Sequence, residues 1–170
     1  LMEDRLVDPR SGLLIQSVRA DGTPLDSPRG SGTALASYFL SFVDSARARD
    51  LYDAAMRSLG DRILGFGALR EYPPGAPGGA GDIDSGPLIA GFSISATGFA
   101  LAGAKRFGDE ATFASLWATA RLFGAPRQRG GALHFATGGP LGDAILFAML
   151  TARPTESPTA SPTESPTDSQ

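Results

Sequence analysis

The sequence predicts an all-α chain of stacked helical hairpins, with a short β-hairpin near the N-terminus and a disordered C-terminal tail. Three observations carry that expectation. Segments that are apolar on every side alternate along the 170 residues with amphipathic ones. An all-round apolar helix must be surrounded by protein whereas an amphipathic one can face water, so the alternation implies an inner and an outer helix layer. Glycine-led motifs, Ser31-Gly32-Thr33, Ser85-Gly86-Pro87 and Gly138-Gly139-Pro140, open the apolar segments, with Gly32, Gly86 and Gly139 about 54 residues apart. Such a spacing marks repeat architectures. Finally, 42% hydrophobic residues and a net charge of -3 place the chain in the globular class, with enough apolar material for one core.

The elements follow in order. Leu13 to Val18 alternates and runs into Asp21-Gly22, a hairpin turn signal. Thr33 to Val43 is apolar nearly all round and of helical length. From Ser45 to Leu64, Tyr52, Met56, Leu59 and Ile63 keep helical spacing while arginines and aspartates cover the other face, giving an amphipathic helix. Gly65 to Asp82, with Tyr72-Pro73-Pro74-Gly75 inside it, reads as a long loop.

Pro87 to Phe107 predicts a second inner helix, with proline in its first turn and Asp84 or Ser85 as its cap. Asp109 to Gly124 is amphipathic through Phe113, Leu116, Trp117, Ala120 and Phe123. Ala125 to Gly138 reads as a loop, and Pro140 to Ala152 as a last helix stopped by Pro154. Residues 1–153 thus form one domain. Residues 154–170 form a Thr/Ser/Pro-rich tail without a large apolar residue, predicted to be disordered.

Composition excludes several classes. Fifteen basic residues against eighteen acidic ones, with no basic block, leave no electrostatic footprint for nucleic acid. The absence of cysteine removes disulfides, zinc thiolates and thiol nucleophiles, and no ligand spacing for a metal, nor any phosphate or dinucleotide fingerprint, is present. No cofactor is expected. The uncharged run from Pro87 to Ala104 is diluted by Gly91, Ser93, Ser95, Thr97, Gly98 and Gly103, which favours a buried helix over a membrane span. The composition assigns no compartment. The start at Leu1, without a signal pattern, favours a fragment of a longer protein.

Stacked hairpins of this period give either an open solenoid or a closed α/α toroid. Arg29-Gly30-Ser31-Gly32-Thr33-Ala34, Gly81-Asp82-Ile83-Asp84-Ser85-Gly86-Pro87, Ala104-Lys105-Arg106-Phe107-Gly108-Asp109 and Gly139-Pro140-Leu141-Gly142-Asp143-Ala144 together resemble α/α-barrel proteins related to the linalool dehydratase/isomerase domain. More distantly, they resemble α/α-toroid glycosidases. The likeness covers most of Leu1 to Ala152. It implies a partial α/α toroid with its pocket at the ring centre, completed by missing N-terminal repeats or by a second chain, since a ring of six such hairpins needs roughly 300 residues. The cysteine and histidine chemistry of the linalool enzyme is not carried over to a chain with no cysteine and one histidine.

In that arrangement the loops ahead of parallel inner helices emerge at one end, gathering Arg29, Ser31, Tyr72, Asp82, Asp84, Ser85, His134 and Asp143. Asp82 and Asp84 are the expected catalytic pair, one carboxyl raised by burial to act as acid and another serving as base or nucleophile. The competing interpretation is that Asp84 or Ser85 caps the helix at Pro87 while Asp82 interacts with the helix dipole or a neighbouring arginine. Arg29, Ser31, Tyr72, Ser85, His134 and Asp143 are the expected substrate contacts, with His134 a base or a structural side chain and Asp143 lining a polar pocket or complementing Arg29. The functional expectation is a hydrolase or lyase acting on a glycan, polyol or related alcohol. The alternative is a non-catalytic helical scaffold that binds a glycan or a protein in its concave face.

Overall fold

The computed structural model describes residues 6–76, 81–82 and 85–154. Among them lie five helices and six strands. The expectation of an all-α chain is therefore wrong: the fold is mixed, with a four-stranded antiparallel sheet and a separate two-stranded one. Chain order is α1 (Gly30–Leu40), α2 (Ser45–Leu59), β1 (Gly60–Ile63), β2 (Phe66–Arg70), β3 (Leu88–Ile89), β4 (Phe92–Ser93), α3 (Ile94–Arg106), α4 (Glu110–Phe123), β5 (Pro126–Arg129), β6 (Ala132–Phe135) and α5 (Gly139–Leu150). The larger sheet runs β1-β2-β4-β3.

The strands arise where two-residue turns interrupt what looks like helix or loop. At Leu64-Gly65 φ is 51° and 87°, and at Ala90-Gly91 it is 52° and 84°. Gly130-Gly131 does the same at 59° and 80°. Two consecutive positive φ values match the twist of antiparallel strands and close a tight hairpin. Hence the helix expected to reach Leu64 stops at Leu59, and the loop expected over 65–82 begins with β2. The loop expected over 125–138 is the β5–β6 hairpin, paired from Pro126↔Phe135 to Arg129↔Ala132.

The second inner helix also starts later than Pro87. Gly91 breaks the run, β3 and β4 pair as Leu88↔Ser93 and Ile89↔Phe92, and Ser93 caps α3 by accepting the Ala96 amide at 3.1 Å. The helices expected as inner ones begin at Gly30, Ile94 and Gly139, 64 and 45 residues apart, so the even glycine period does not mark them, and the expected partial α/α toroid of stacked hairpins gives way to this mixed fold. Near the N-terminus the expected hairpin survives as a turn, with the Arg19 amide donating to the Thr23 carbonyl at 2.8 Å. Its flanks meet only in isolated bridges, among them Ile15↔Pro28 and Val18↔Pro24. The expected disordered tail, from 155 on, falls outside the described residues.

The core lies where α3 meets α1, α2, α4, α5 and β2. Leu13, Leu59, Leu69, Leu101 and Leu116 are almost fully closed off, each burial stabilising by about 1.5–3 kcal/mol. Small residues on α3 let its neighbours approach closely. A Cβ on Gly103 would stand 2.5 Å from the Tyr52 ring, so a side chain there would overpack α3 against α2. The Tyr52 hydroxyl donates to Asp109 Oδ2 at 2.9 Å, tying α2 to the N-cap of α4.

The α1 helix is inside out. It buries Ser31, Thr33 and Ser37, while Phe39 is 61% exposed and Val43, just past the helix end, 83% exposed. The serines and threonine are satisfied inside: Ser37 Oγ donates to the Ala48 carbonyl at 2.8 Å and Thr33 Oγ to the Arg29 carbonyl at 2.6 Å. Among the described residues no helix is long and apolar enough to cross a membrane.

Candidate functional site

The end of β2, the residue ahead of α1 and the approach to β3 converge on Arg29. Its position is fixed by backbone first: the Gly30 amide donates to the Glu71 carbonyl at 2.8 Å, and the Glu71 amide to the Gly91 carbonyl at 3.1 Å. A Cβ on Gly30 would sit 2.3 Å from the Arg70 carbonyl oxygen. Only glycine allows this crossing.

Arg29 is 4% exposed and Glu71 is fully buried. Arg29 Nε donates to Glu71 Oε1 at 2.9 Å and Nη1 to Asp82 Oδ2 at 2.6 Å, with Asp26 Oδ2 at 3.5 Å from the same nitrogen. Nη2 is buried without a hydrogen-bond partner. Ser31 completes the coordination of Glu71, its Oγ donating to Oε1 at 2.6 Å and its amide to Oε2 at 3.3 Å. The guanidinium lies 5.5 Å from the Tyr72 ring centroid, and burial pushes the Tyr72 hydroxyl above its ordinary pKa.

Asp82 closes the cluster from the loop side. Its Oδ1 accepts the Ser85 amide at 2.9 Å while its own amide donates to Ser85 Oγ at 2.9 Å. Ser85, fully buried, is linked onward because Ser93 Oγ donates to its carbonyl at 3.0 Å. The Arg29 hydrogen bond and then the Ser85 amide hold the Asp82 carboxyl well below the usual carboxylate range.

Five of the expected site residues, Arg29, Ser31, Tyr72, Asp82 and Ser85, therefore do meet. What they form is a charge-paired clasp. Asp82 stays ionised at neutral pH, which removes it as the proton donor of an acid/base pair. Ser85 does not cap the following helix, whose N-cap is Ser93, and Asp82 pairs with an arginine, Arg29. Asp84 lies outside the described residues.

His134 and Asp143 stand apart from this cluster. His134 Nδ1 and Asp143 Oδ2 are 2.8 Å apart, and Asp143 Oδ1 accepts the Phe135 amide at 2.6 Å. The pair fastens β6 to the first turns of α5. The Phe135 amide, and then His134, lower the Asp143 carboxyl. Asp143 thus complements His134 rather than Arg29, and the half-exposed His134 lies on a hairpin whose other strand is fully exposed.

Glu71 is, with Asp26, a member of the cluster that the sequence reading missed. Its signal was the alternation of β2, where Gly67 and Leu69 are buried and Phe66, Ala68 and Arg70 are not; Glu71 continues the buried phase. Asp26 had no comparable signal. Among the described residues no three histidine or carboxylate side chains converge as a metal-ligand set. No protein-family model matches the chain, and a search of curated proteins found no match.

Proposed function

We propose that this chain is a non-catalytic mixed α/β scaffold whose working surfaces are apolar and take another protein. The observation that carries this reading is an open groove of about 270 Å³ between the β1–β2 tip and α4, lined by Ile63, Leu64, Phe66, Phe92, Leu122 and Phe123. Four of these side chains are more than half exposed, Leu64 at 94%. A contiguous exposed apolar surface is characteristic of protein-binding sites.

Leu64 sharpens the point. It takes a left-handed backbone conformation, φ 51°, at a cost of about 1–2 kcal/mol for a residue with a side chain, and within the chain it gains almost no packing in return. A hydrolase or lyase working through Asp82 would need a rim proton donor. Asp82 is held as a carboxylate, suited to a base and not to that donor, and Arg29, Ser31 and Ser85 are buried.

Binding of 1-anilinonaphthalene-8-sulfonate to the native protein tests the reading, provided the near-ultraviolet signal of Trp117 stays intact, since the dye also marks molten states. The expected result is native-state dye binding that falls in a Leu64→Asn, Phe123→Ser variant of unchanged helicity. A native protein that binds no dye would refute an accessible apolar surface.

A further inference from the structure

We infer that the arginine face of the β5–β6 hairpin is the docking site for the chain's own acidic C-terminal segment, Glu156 to Gln170. Arg127 pairs with His134 and Arg129 with Ala132, which puts these four residues on one face of the hairpin, since directly opposed residues share a face and the next pair takes the other. Pro126, Gln128, Leu133 and Phe135 make the second face. That face is the one turned inward, because Phe135 is buried with its ring 5.8 Å from that of Trp117. The arginine face therefore points away from α4, and Arg127, Arg129 and His134 are all exposed.

Among the described residues nothing neutralises it. Arg127 and Arg129 form no ion pair and no side-chain hydrogen bond there. Residues 111–154 hold four arginines against a single acid, Asp143, and that carboxylate is taken up by His134 and the Phe135 amide. The outer edge of the hairpin is open as well. Beside a two-residue turn the pairs Arg129↔Ala132 and Arg127↔His134 exchange the ladder hydrogen bonds, so the backbone of Gln128 faces outward. A two-stranded hairpin with one face bare is marginal by itself.

The complement lies in the same chain. Residues 155–170 carry Glu156, Glu164 and Asp168 and no base, which is the whole net charge of -3; the rest of the chain is balanced. Reach is ample. The His134–Asp143 contact fastens the hairpin to the first turns of α5, and from Asp143 to Leu150 the helix rises only about 10 Å, whereas sixteen residues of proline-rich chain extend to about 50 Å. Glu164 and Asp168 stand about 12 Å apart in an extended chain, and Arg127 and Arg129 about 7 Å apart along a strand, a difference their long side chains span. Tethering supplies an effective concentration in the millimolar range, so a contact too weak to hold a separate peptide is populated within one chain. Docked there, the segment shields the basic face from other anions.

Nuclear magnetic resonance with a nitroxide on Ser169→Cys, the sole thiol in a cysteine-free chain, tests this. At low salt the backbone amides of 127–133 are expected to lose intensity relative to the reduced label, while those on the exposed side of α2 keep theirs. The loss is expected to vanish near 1 M salt, where the Debye length is about 3 Å, and in either full-length charge variant, Arg127→Gln with Arg129→Gln or Glu164→Gln with Asp168→Asn. Exchanging the charges, Arg127→Glu and Arg129→Glu with Glu164→Arg and Asp168→Arg, is expected to restore it.

Broadening that survives the charge variants, or that spreads evenly over the surface, would overturn the proposal. So would broadening of an isotope-labelled chain by a separate spin-labelled one, which would place the contact between copies. The outcome is independent of the Leu64 and Phe123 groove: a chain that binds no dye could still show the docked segment, and one without it could still bind dye.

Discussion

Arg29 and Glu71, forty-two positions apart in the chain, face each other at 2.9 Å with almost no water access to either. Their pairing is the electrostatic centre of the fold. A buried pair is weak evidence of net stabilisation, but removing one partner strands the other's charge.

Glu71→Ala is accordingly expected to destabilise the protein by about 3–5 kcal/mol, the range for breaking a buried ion pair. The double variant Arg29→Met, Glu71→Leu should cost less than that single change, because the carboxylates that lose Arg29, Asp82 and Asp26, are open to solvent and no fully buried charge is stranded. Urea unfolding monitored at Trp117 checks both. A double variant as damaged as Glu71→Ala would show that packing of the stems, and not charge, sets the cost.

Acid lability should trace partly to Asp82. Its folded carboxyl is held below the unfolded value of about 3.9, so the native state releases that proton more readily than the unfolded chain. The contribution is complete above the unfolded pKa and is lost as pH falls from about 4 towards the lower folded value. Asp82→Asn should flatten the decline of unfolding midpoint below pH 4 and leave its shape from pH 6 to 8 unchanged. The side chain is 44% exposed, so solvent keeps the effect modest.

Leu64→Asn should stabilise the isolated chain. Asparagine tolerates the left-handed conformation at the first turn position far better than leucine does, and the leucine side chain is too exposed for its loss to matter to the core. A gain on the order of 1 kcal/mol is expected, read as a higher melting temperature, together with weaker dye binding. A lower melting temperature would mean that Leu64 packs in solution.

The helix pairs were legible because their apolar spacing is local: α2 and α4 fall where the stripes of Tyr52 and Leu59, and of Leu116 and Trp117, place them. The sheets were not, because each depends on a two-residue turn whose outer residue is atypical. Leu64-Gly65 and Ala90-Gly91 lack the asparagine or aspartate that usually marks such turns. Gly130-Gly131 was a stronger signal, but it is flanked by the polar strand Pro126–Arg129, which shows no alternation of burial. Gly91 and Ser93 inside an uncharged run read as dilution of a helix when they are its boundary.

The site was legible in its members more than in its chemistry. Arg29, Asp82 and Ser85 each stand beside a glycine in a segment between helices, and Ser31 between two glycines in the first turn of α1, which marks them as residues at loop ends. Nothing local says that Arg29 reaches Asp82 across 53 positions, or that the charge it meets first is Glu71. Those pairings are set by the β2–β4 register, Leu69↔Ser93 and Arg70↔Phe92, which places the start of α1 and the approach to β3 on the same strand end.

The clasp at Glu71 also bears on the order of folding. Its bonds join positions 29, 31, 71, 82 and 91, so every one of them beyond the Asp82–Ser85 turn waits on long loop closures, whereas the α1–α2 and α3–α4 hairpins close within a few residues of their turns. Contacts of that kind are expected to form late, after the helices have docked. Changes at Arg29 or Glu71 are then expected to appear in stopped-flow measurements mainly as faster unfolding, with refolding rates little altered, the clasp acting as a lock on the native state.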